Sequence, residues 1–246
     1  MKIIVFGATG NTGKRVLAQG VRMGHEMTAF VRNPEKLNEQ QDAQSAERVR
    51  VIAQDILDPE SVFAALAHQD AAVIAAGHAG QGEEFVRIVD CIVSQCERQP
   101  LFSGRVWMMG GAGLLDIPHT DLIGNDLPGF PPAFQYHNRN LDRLRCTGLD
   151  WSVMCPGTMV DARPDAKPYA SSLRLHTTAD ILPLPFPDTI RELSGAELAG
   201  HLFSRLQELD VTYEDVANFM LNHVDLAGPY KGKRVGLAYR EEKSVR

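Results

Sequence analysis

Three glycines near the start of the chain, Gly7, Gly10 and Gly13, have a spacing that suits a phosphate-binding loop. They follow the apolar run 2–6, which is typical of a buried parallel strand, and precede a segment that permits a helix. The N-terminus of a helix attracts anions, and glycines remove the Cβ atoms that would keep a pyrophosphate from the backbone. The spacing is GxxGxxG rather than the standard GxGxxG, and a simple tight turn would also use glycines. The order of strand, loop and helix favours a dinucleotide site.

The residues after the second predicted strand bear on which dinucleotide binds. Strand 26–31 is followed by Arg32, with Lys36 one helical turn later and no carboxylate between residues 29 and 33. A carboxylate at this strand end binds the ribose hydroxyls of NAD, whereas an arginine accommodates the 2′-phosphate of NADP. The two cations could instead be a solvated pair at a strand end. We favour NADP(H) as the cofactor over NAD(H).

Two further strand ends offer positions for the same dinucleotide. Asp55 lies just past the third predicted strand, 48–54, where it could accept a hydrogen bond from adenine or merely cap a turn. The small-residue strand 71–76 ends at Gly77, and these small residues let the backbone approach the cofactor ribose. His78 follows, and a loop histidine at this place contacts cofactor, substrate or only solvent.

An alternation of strands and helices predicts how these positions are brought together. We expect strands at 2–6, 26–31, 48–54, 71–76, 105–109, 150–155 and 234–239, and helices at 12–23, from 34, from 59, and at 83–99, 134–146, 194–209 and 213–223. Short connections between them indicate the α/β class, with a doubly wound parallel sheet of the Rossmann type. Such a sheet gathers ligands at the carboxyl ends of its strands.

The later loops are expected to shape the substrate side of a single domain that spans residues 1–246. Residues 113–132 and 157–187 are rich in proline and show little periodicity, so we expect them to line the substrate pocket. The segment from about 157 to 210 is the predicted substrate-side cover. Its amphipathic helix 194–209 either covers the core or forms a dimer surface, and we expect a monomer or a homodimer.

Composition argues against several classes of protein. Lys and Arg number 25 against 31 Asp and Glu, and the net charge of −6 argues against a nucleic-acid partner. No apolar run approaches the ~20 residues that span a bilayer, and nothing resembles a secretion signal, so no membrane association is expected. The 4 cysteines lack CxxC spacing, which favours free thiols in the cytoplasm. The 8 histidines lack i, i+4 pairing, and we expect no metal site.

Five stretches of the chain resemble one known family. They are KIIVFGATGNTG at the first strand, VRNP after the second, QDILD after the third, GLDWSVMCPG at the sixth and DVANFML near the end. The family is the atypical short-chain dehydrogenase/reductase group, which includes NAD(P)H-binding flavin and biliverdin reductase-like proteins and nitrogen-metabolite-repression-type regulators. The resemblance covers residues 1–224 and weakens between 162 and 209.

This resemblance implies a Rossmann sheet with a defined set of cofactor contacts. The implied pyrophosphate contacts are Gly7, Thr9, Gly10, Asn11, Thr12 and Gly13. Arg32 is the implied contact to the 2′-phosphate, and Asp55 and Ile56 are the implied contacts to adenine. The implied contacts along the ribose are Ala75, Ala76 and Gly77.

The catalytic residues of the wider superfamily are incomplete in this chain. Typical members carry a serine at the end of strand five, where this sequence has Met109 followed by two glycines. They also carry Tyr-x-x-x-Lys on the next helix, and if Tyr136 is the tyrosine, Asn140 stands at the lysine position. Relatives with a Gly-Leu-Asp-Trp run place a lysine or histidine eleven residues before that glycine, which implies His137 when counted from Gly148.

The missing proton donor limits the reaction that we expect. Reduction of an isolated ketone needs an acid at the developing alkoxide, and a phenol with the ordinary pKa of about 10 is a poor acid at neutral pH. Flavins and quinones delocalise the added electrons and take their proton from water. We therefore expect hydride transfer from NADPH to a small flavin- or quinone-like acceptor. His137 would orient the nicotinamide ribose or donate a proton, with Tyr136 as its substitute.

Two other functions remain open at this point. The missing catalytic residues would also suit a non-catalytic NADP(H) sensor that acts through a partner protein. An isomerase or epimerase with bound cofactor is less favoured, because that chemistry normally uses the tyrosine.

Overall fold

The computed structural model describes residues 1–38, 48–162 and 175–240. Its strands are β1 Lys2–Phe6, β2 Glu26–Val31, β3 Val49–Ala53, β4 Ala71–Ile74, β5 Arg105–Met109, β6 Asp150–Cys155, β7 Met159–Val160, β8 Leu175–Ala179, β9 Val211–Thr212 and β10 Lys233–Tyr239. Its α-helices are α1 Asn11–Arg22, α2 Pro34–Asn38, α3 Pro59–Leu66, α4 Glu83–Arg98, α5 Gln135–Arg145, α6 Gly195–Phe203 and α7 Tyr213–Asn222.

The described strands form an eight-stranded sheet in the order β3-β2-β1-β4-β5-β6-β10-β8 and a separate two-stranded pair of β7 with β9. Neighbours from β3 to β10 run parallel, and β8 is antiparallel to β10. The strand order reverses between β1 and β4, which is the switch point at which such sheets open a crevice for ligands. The predicted Rossmann-type architecture is confirmed.

Both faces of the sheet are covered, which explains why β1 is an uninterrupted apolar run. Ile4 and Phe6 belong to one buried layer together with residues of α3, α4, α5 and α6. Ile3 and Val5 point the other way, into a layer that α1 and α7 cover. The two layers hold the sheet between helices. Because the strands from β3 to β10 run parallel, their carboxyl ends share one edge of the sheet.

Side-chain caps set the starts of three helices where the sequence predicts them. Asn33 Oδ1 accepts a hydrogen bond from the Glu35 N–H at 2.9 Å at the start of α2. The Asp58 side chain accepts from the Glu60 N–H at 3.2 Å at the start of α3. Thr212 Oγ1 accepts from the Asp215 N–H at 3.1 Å at the start of α7. Each cap satisfies an N–H group that the helix itself leaves without a partner.

The predicted cover segment differs from expectation in two places. The predicted helix 194–209 ends as α6 at Phe203, and a 3₁₀ turn over Leu206–Leu209 follows. Arg205 stabilises this break, because its guanidinium donates to the Pro185 carbonyl at 2.6 Å and to Glu208 at 2.7 Å. Strand β8 was not predicted, since LHTTA is a polar edge strand that lacks the apolar pattern of the interior strands.

The cysteines among the described residues are all free thiols. Cys96 and Cys155 are buried, and burial raises the pKa of Cys155 to about 12, so these thiols pack in the core rather than react. In the three described parts of the chain, no helix has both the length and the apolarity to cross a membrane. Nor do three His, Cys, Asp or Glu side chains of those parts come together in a way that could hold a metal ion.

Candidate functional site

The loop between β1 and α1 leaves no room for side chains at two of its glycines. Gly7 has φ +82°, and a Cβ there would lie 2.7 Å from the Cα of Ala76. A Cβ on Gly13 would overlap the Gly7 carbonyl and lie 2.9 Å from the Cα of Ala8. The Gly10 N–H donates to the Gly7 carbonyl at 2.9 Å and closes the loop. These glycines therefore let the loop lie directly against α1 on one side and the end of β4 on the other.

The glycine loop forms one wall of a cavity of about 480 Å³ along the carboxyl ends of β1, β2, β3 and β4, which we call the dinucleotide cavity. Most of the cofactor residues predicted from the sequence line it, namely Gly7, Thr9, Gly10, Arg32, Asp55, Ile56, Ala75, Ala76 and Gly77. The remaining three, Asn11, Thr12 and Gly13, form the first turn of α1 behind the loop. The free N–H groups of this turn make it an anion site.

The end of the dinucleotide cavity next to β2 is basic. Arg32 and Lys36 are both exposed and both line the cavity. Asp55 also lines it, while its Oδ1 accepts a hydrogen bond from the Leu57 N–H at 2.9 Å. Asp55 therefore caps a turn from a position in the cavity wall, so both of its predicted roles are compatible with the geometry.

A second cavity, of about 380 Å³, lies at the carboxyl ends of β5 and β6, and we call it the acceptor cavity. Glycine-rich turns after the two strands form its floor, and apolar side chains from the segments 113–132 and 157–210 form much of its walls. Its lining is Gly111, Ala112, Gly113, Asn125, Phe130, Phe134, His137, Pro156, Gly157, Thr158, Leu182, Leu202, Leu206 and Leu209. None of these described lining residues carries a formal charge at neutral pH.

Helix α6 covers this cavity instead of presenting its apolar face to solvent. Leu198 and Leu202 are 1% and 2% exposed, and Leu202 is part of the lining. Phe203, at the end of α6, stacks on Phe130 with ring centroids 4.9 Å apart. The structure thus shows this helix covering the core, which is one of the two roles that the sequence left open for it.

Phe85 links the two cavities. Gly77 of the dinucleotide cavity has φ +79°, and a Cβ there would lie 2.5 Å from the Phe85 ring. His137 of the acceptor cavity meets the same ring edge to face, with centroids 5.3 Å apart. The cavities are therefore neighbours at one edge of the sheet, which agrees with the pairing of β4 with β5.

His137 is uncharged at neutral pH. Burial lowers the pKa of its imidazole to about 4, and its Nδ1 is buried without a hydrogen-bond partner. An unpartnered buried N–H is costlier than an unpartnered lone pair, so the proton is favoured on Nε2. A neutral imidazole can donate this N–H as a hydrogen bond, but it is not the cationic acid that a ketone reduction would use.

The other candidates on α5 lie elsewhere. Tyr136 is outside the lining of both cavities, with its hydroxyl close to Gly82 and the Arg139 guanidinium 5.5 Å from its ring centroid. Asn140, which stands at the lysine position if Tyr136 is the tyrosine, is fully buried, and neither atom of its amide has a hydrogen-bond partner. The structure thus places His137, and not Tyr136, in the wall of the acceptor cavity.

Some residues that shape the acceptor cavity were not identified from the sequence. Phe130 lines it from the segment 113–132 that was expected to do so, whereas Phe134 lies outside that segment, at the start of the predicted helix 134–146. Arg234 on β10 fixes the loop after β5, because it donates to the Leu114 carbonyl at 2.6 Å and forms an ion pair with Asp116 at 2.8 Å. Arg234 and Asp116 are 118 positions apart in the chain, so no local sequence pattern indicates this pair.

A second long-range contact holds the glycine-loop helix against the cover segment. Arg15 on α1 donates to Glu214 at 2.9 Å and also pairs with Asp161, just after β7. The other oxygen of Glu214 accepts from the Ala162 N–H at 3.1 Å. Arg15 is thereby engaged in structural ion pairs. Among the described lining residues of the dinucleotide cavity, the arginine and the lysine are Arg32 and Lys36.

Comparisons with known proteins agree with this geometry. Residues 7–178 match the model of a family described as NAD(P)H-binding. The chain is 31% identical over 170 residues to the uncharacterized protein YwnB of Bacillus subtilis strain 168, a match that covers 65% of this chain and 74% of YwnB.

Solved structures match over nearly the whole length. A Burkholderia pseudomallei protein, provisionally described as exported, has 26% identity and a TM-score of 0.69, with 97% of this chain and 100% of that chain covered. SP1627 of Streptococcus pneumoniae TIGR4, provisionally described as an NADH-flavin reductase, has 22% identity and a TM-score of 0.67, with 98% and 100% covered. The family match includes the glycine loop and the strand ends that form the dinucleotide cavity. The chain therefore belongs to the NAD(P)H-binding family.

Proposed function

We propose that this protein is an NADPH-dependent reductase that delivers a hydride to a flavin- or quinone-like acceptor. One observation carries the proposal. The cavity next to the dinucleotide cavity is apolar, and its one titratable lining residue in the described chain is His137, whose pKa burial lowers to about 4. Such a site can hold a flat conjugated ring but offers no strong acid, which suits an acceptor that stabilises its own negative charge.

Several features of the described residues support the binding of this cofactor. Gly7 and Gly13 have no space for a Cβ, so the loop presents bare backbone to a pyrophosphate, and the N–H groups of the first turn of α1 would bind it. Arg32 and Lys36 would bind the 2′-phosphate, which supports NADP over NAD. Asp55 and Ile56 would contact adenine, and the small residues 75–77 would lie along the ribose.

When bound, the reduced nicotinamide supplies a hydride. The protein's own contribution is to exclude water with Leu202 and Leu209, which are both almost fully buried, and to orient the acceptor against the glycine floor. His137 would donate a neutral N–H to the acceptor or to the nicotinamide ribose. The proton that completes the reduction would come from solvent. Flavins and quinones allow this because they delocalise the added electrons until the proton arrives.

An acceptor panel tests this function. Purified protein and NADPH would be offered a flavin, a quinone and an aliphatic ketone, with NADPH absorbance followed over time. We expect turnover with the flavin or the quinone and none with the ketone. Tight NADPH binding without turnover on any acceptor would contradict the proposal and favour an NADP(H) sensor that acts through a partner protein.

A further inference from the structure

We propose that the acceptor cavity selects uncharged, planar, conjugated carbonyl compounds and rejects acceptors that carry a phosphate or a sulfonate. This inference rests on the proposed function, because it names the class of acceptor that the same site takes. The carrying observation is the chemistry of the described lining, which consists of glycine, alanine, proline, leucine and phenylalanine residues and three polar side chains without formal charge.

No described lining residue is a lysine or an arginine, and the nearby arginines are bound to other groups. Arg205, which precedes the lining residue Leu206, has its guanidinium on Glu208 at 2.7 Å and 5.3 Å from the ring centroid of Phe186. Arg139 on α5 donates to both carboxylate oxygens of Glu83. An anionic group in the cavity would therefore lose its hydration without gaining an ion pair, which is strongly unfavourable.

The polar groups that remain suit a carbonyl better than an anion. Asn125 already donates its amide N–H groups to the Phe134 carbonyl at 3.2 Å and to Asn138 Oδ1 at 2.7 Å. The Thr158 hydroxyl and the neutral imidazole of His137 remain in the lining, and each can donate one hydrogen bond. Two neutral side-chain donors can orient a neutral ring carbonyl, but neither supplies the positive charge that would compensate a dianionic phosphate.

Size restricts the acceptor as well. The cavity measures about 380 Å³, near the small end of ligand-binding pockets, and Phe130 and Phe134 offer flat apolar surface. Both a two-ring quinone and the three-ring system of a flavin match this chemistry. With a quinone, the ring gains a hydride and a solvent proton to become the hydroquinone, and NADPH is oxidised to NADP⁺.

Matched pairs that differ only in charge test the inference. The first pair is riboflavin and FMN, which share the flavin ring and differ by a phosphate. The second pair is 1,4-naphthoquinone and its 2-sulfonate, which share the quinone ring and differ by a sulfonate. Binding to NADP⁺-loaded protein would be measured by equilibrium fluorescence quenching, which needs no turnover. We expect the uncharged member of at least one pair to bind about tenfold or more tightly than its charged counterpart. The pair that shows this difference identifies the ring system.

A positive charge introduced into the lining should remove most of the preference for the uncharged flavin. Leu206 lines the cavity and is 36% exposed, so Leu206→Arg can be accommodated without burying the new cation. We expect the affinity for FMN relative to that for riboflavin to be about tenfold higher in this variant than in wild type. The control is Leu226→Arg, which adds the same charge at a leucine that is 48% exposed and outside the cavity lining.

The outcomes separate this inference from the proposed function. Equal or tighter binding of the charged member in both pairs, or no binding of either uncharged compound, overturns the selectivity. Preferential binding of an uncharged ring without NADPH oxidation supports the selectivity and contradicts the reductase. NADPH oxidation with equal binding of FMN and riboflavin, and of the sulfonate and its parent quinone, supports the reductase and contradicts the selectivity.

Discussion

The ring of Phe85 meets the imidazole of His137 edge to face, with centroids 5.3 Å apart and an angle of 80° between the planes. Phe85 lies in the first turn of α4 and His137 in the first turn of α5, so the contact joins two helices at the ligand-binding edge of the sheet. Gly77 contacts the same Phe85 ring from the dinucleotide cavity. The environment that keeps His137 neutral is thus shared with the wall of the cofactor site.

His137 should make the stability of the fold depend on acidity. Burial lowers its pKa from the ordinary 6.5 to about 4. Between these values the unfolded chain binds a proton that the folded protein does not bind. The free energy of unfolding therefore falls as the pH drops from 6.5 towards 4, with a slope of at most about 1.4 kcal/mol per pH unit from this group. In His137→Phe this contribution is lost. Urea unfolding of wild type and variant between pH 4 and 6.5 measures how much less the free energy of unfolding of the variant depends on pH.

An exposed histidine provides the control for this measurement. His176 on β8 is exposed, and we expect His176→Gln to retain the wild-type pH dependence of stability. If His137→Phe shows the same pH dependence as wild type, the imidazole is not held neutral by burial. The role assigned to it as an uncharged donor would then be wrong.

Arg32 should control the choice between the two dinucleotides. Arg32→Glu removes a guanidinium from the end of the dinucleotide cavity and places a carboxylate there. We expect NADPH to bind about tenfold or more weakly, because its 2′-phosphate would face a negative charge, and NADH affinity to change less. Titration of both cofactors by fluorescence measures the ratio. The control Arg22→Glu makes the same charge change at an exposed residue at the other end of α1, outside the cavity, and should leave that ratio unchanged.

Gly13 should be required for cofactor binding because a side chain at this position would overlap the glycine loop, and not because its backbone needs a conformation that only glycine adopts. A Cβ at this position would overlap the backbone of the glycine loop, so Gly13→Ala must push the loop away from α1. We expect the affinity for NADPH to fall about tenfold or more. Gly200→Ala is the control, since a Cβ added at Gly200 in α6 would have open space around it, and alanine there should preserve binding and favour the helix. Unchanged NADPH affinity in Gly13→Ala would contradict the assigned role of the loop.

Local features of the chain are those that the sequence predicted well. The glycine loop and the caps at Asp58 and Thr212 depend on residues a few positions apart, and both caps are present as expected. Strand β8 was missed because its polar sequence has no apolar strand pattern. The strand is held by its pairing with β10, which the local sequence does not indicate. A segment with one exposed edge needs no continuous apolar run.

The acceptor cavity could be predicted only in outline, because its properties arise between distant segments. His137 was identified through a family resemblance, whereas its lowered pKa depends on burial against Phe85 and Phe134. The ion pair of Arg234 with Asp116 joins β10 to the loop after β5 across most of the second half of the chain. No periodicity or spacing encodes such a contact, so only the fold reveals it.

At the opposite edge of the sheet, Arg105 forms a buried polar network that supports β5. Its side chain is 1% exposed and donates to Asp150 Oδ1, to Ser152 Oγ and to the His223 carbonyl, each at 3.0 Å. The first of these contacts is an ion pair between the first residues of β5 and β6. The network lies at the start of these strands, whereas both cavities lie at the carboxyl ends.

Arg105→Met should therefore reduce stability without changing cofactor affinity. It leaves the buried Asp150 carboxylate without its cation, which typically costs about 3–5 kcal/mol. The double variant Arg105→Met with Asp150→Asn should lose less than the sum of the two single changes, because neither charge is then left alone. Urea unfolding gives these differences, and Arg145→Met, which breaks an exposed ion pair with Asp142, should cost less than about 1 kcal/mol. Additive losses in the double variant would show that Arg105 and Asp150 act independently, and a weakened affinity for NADPH would show that the network extends to the site.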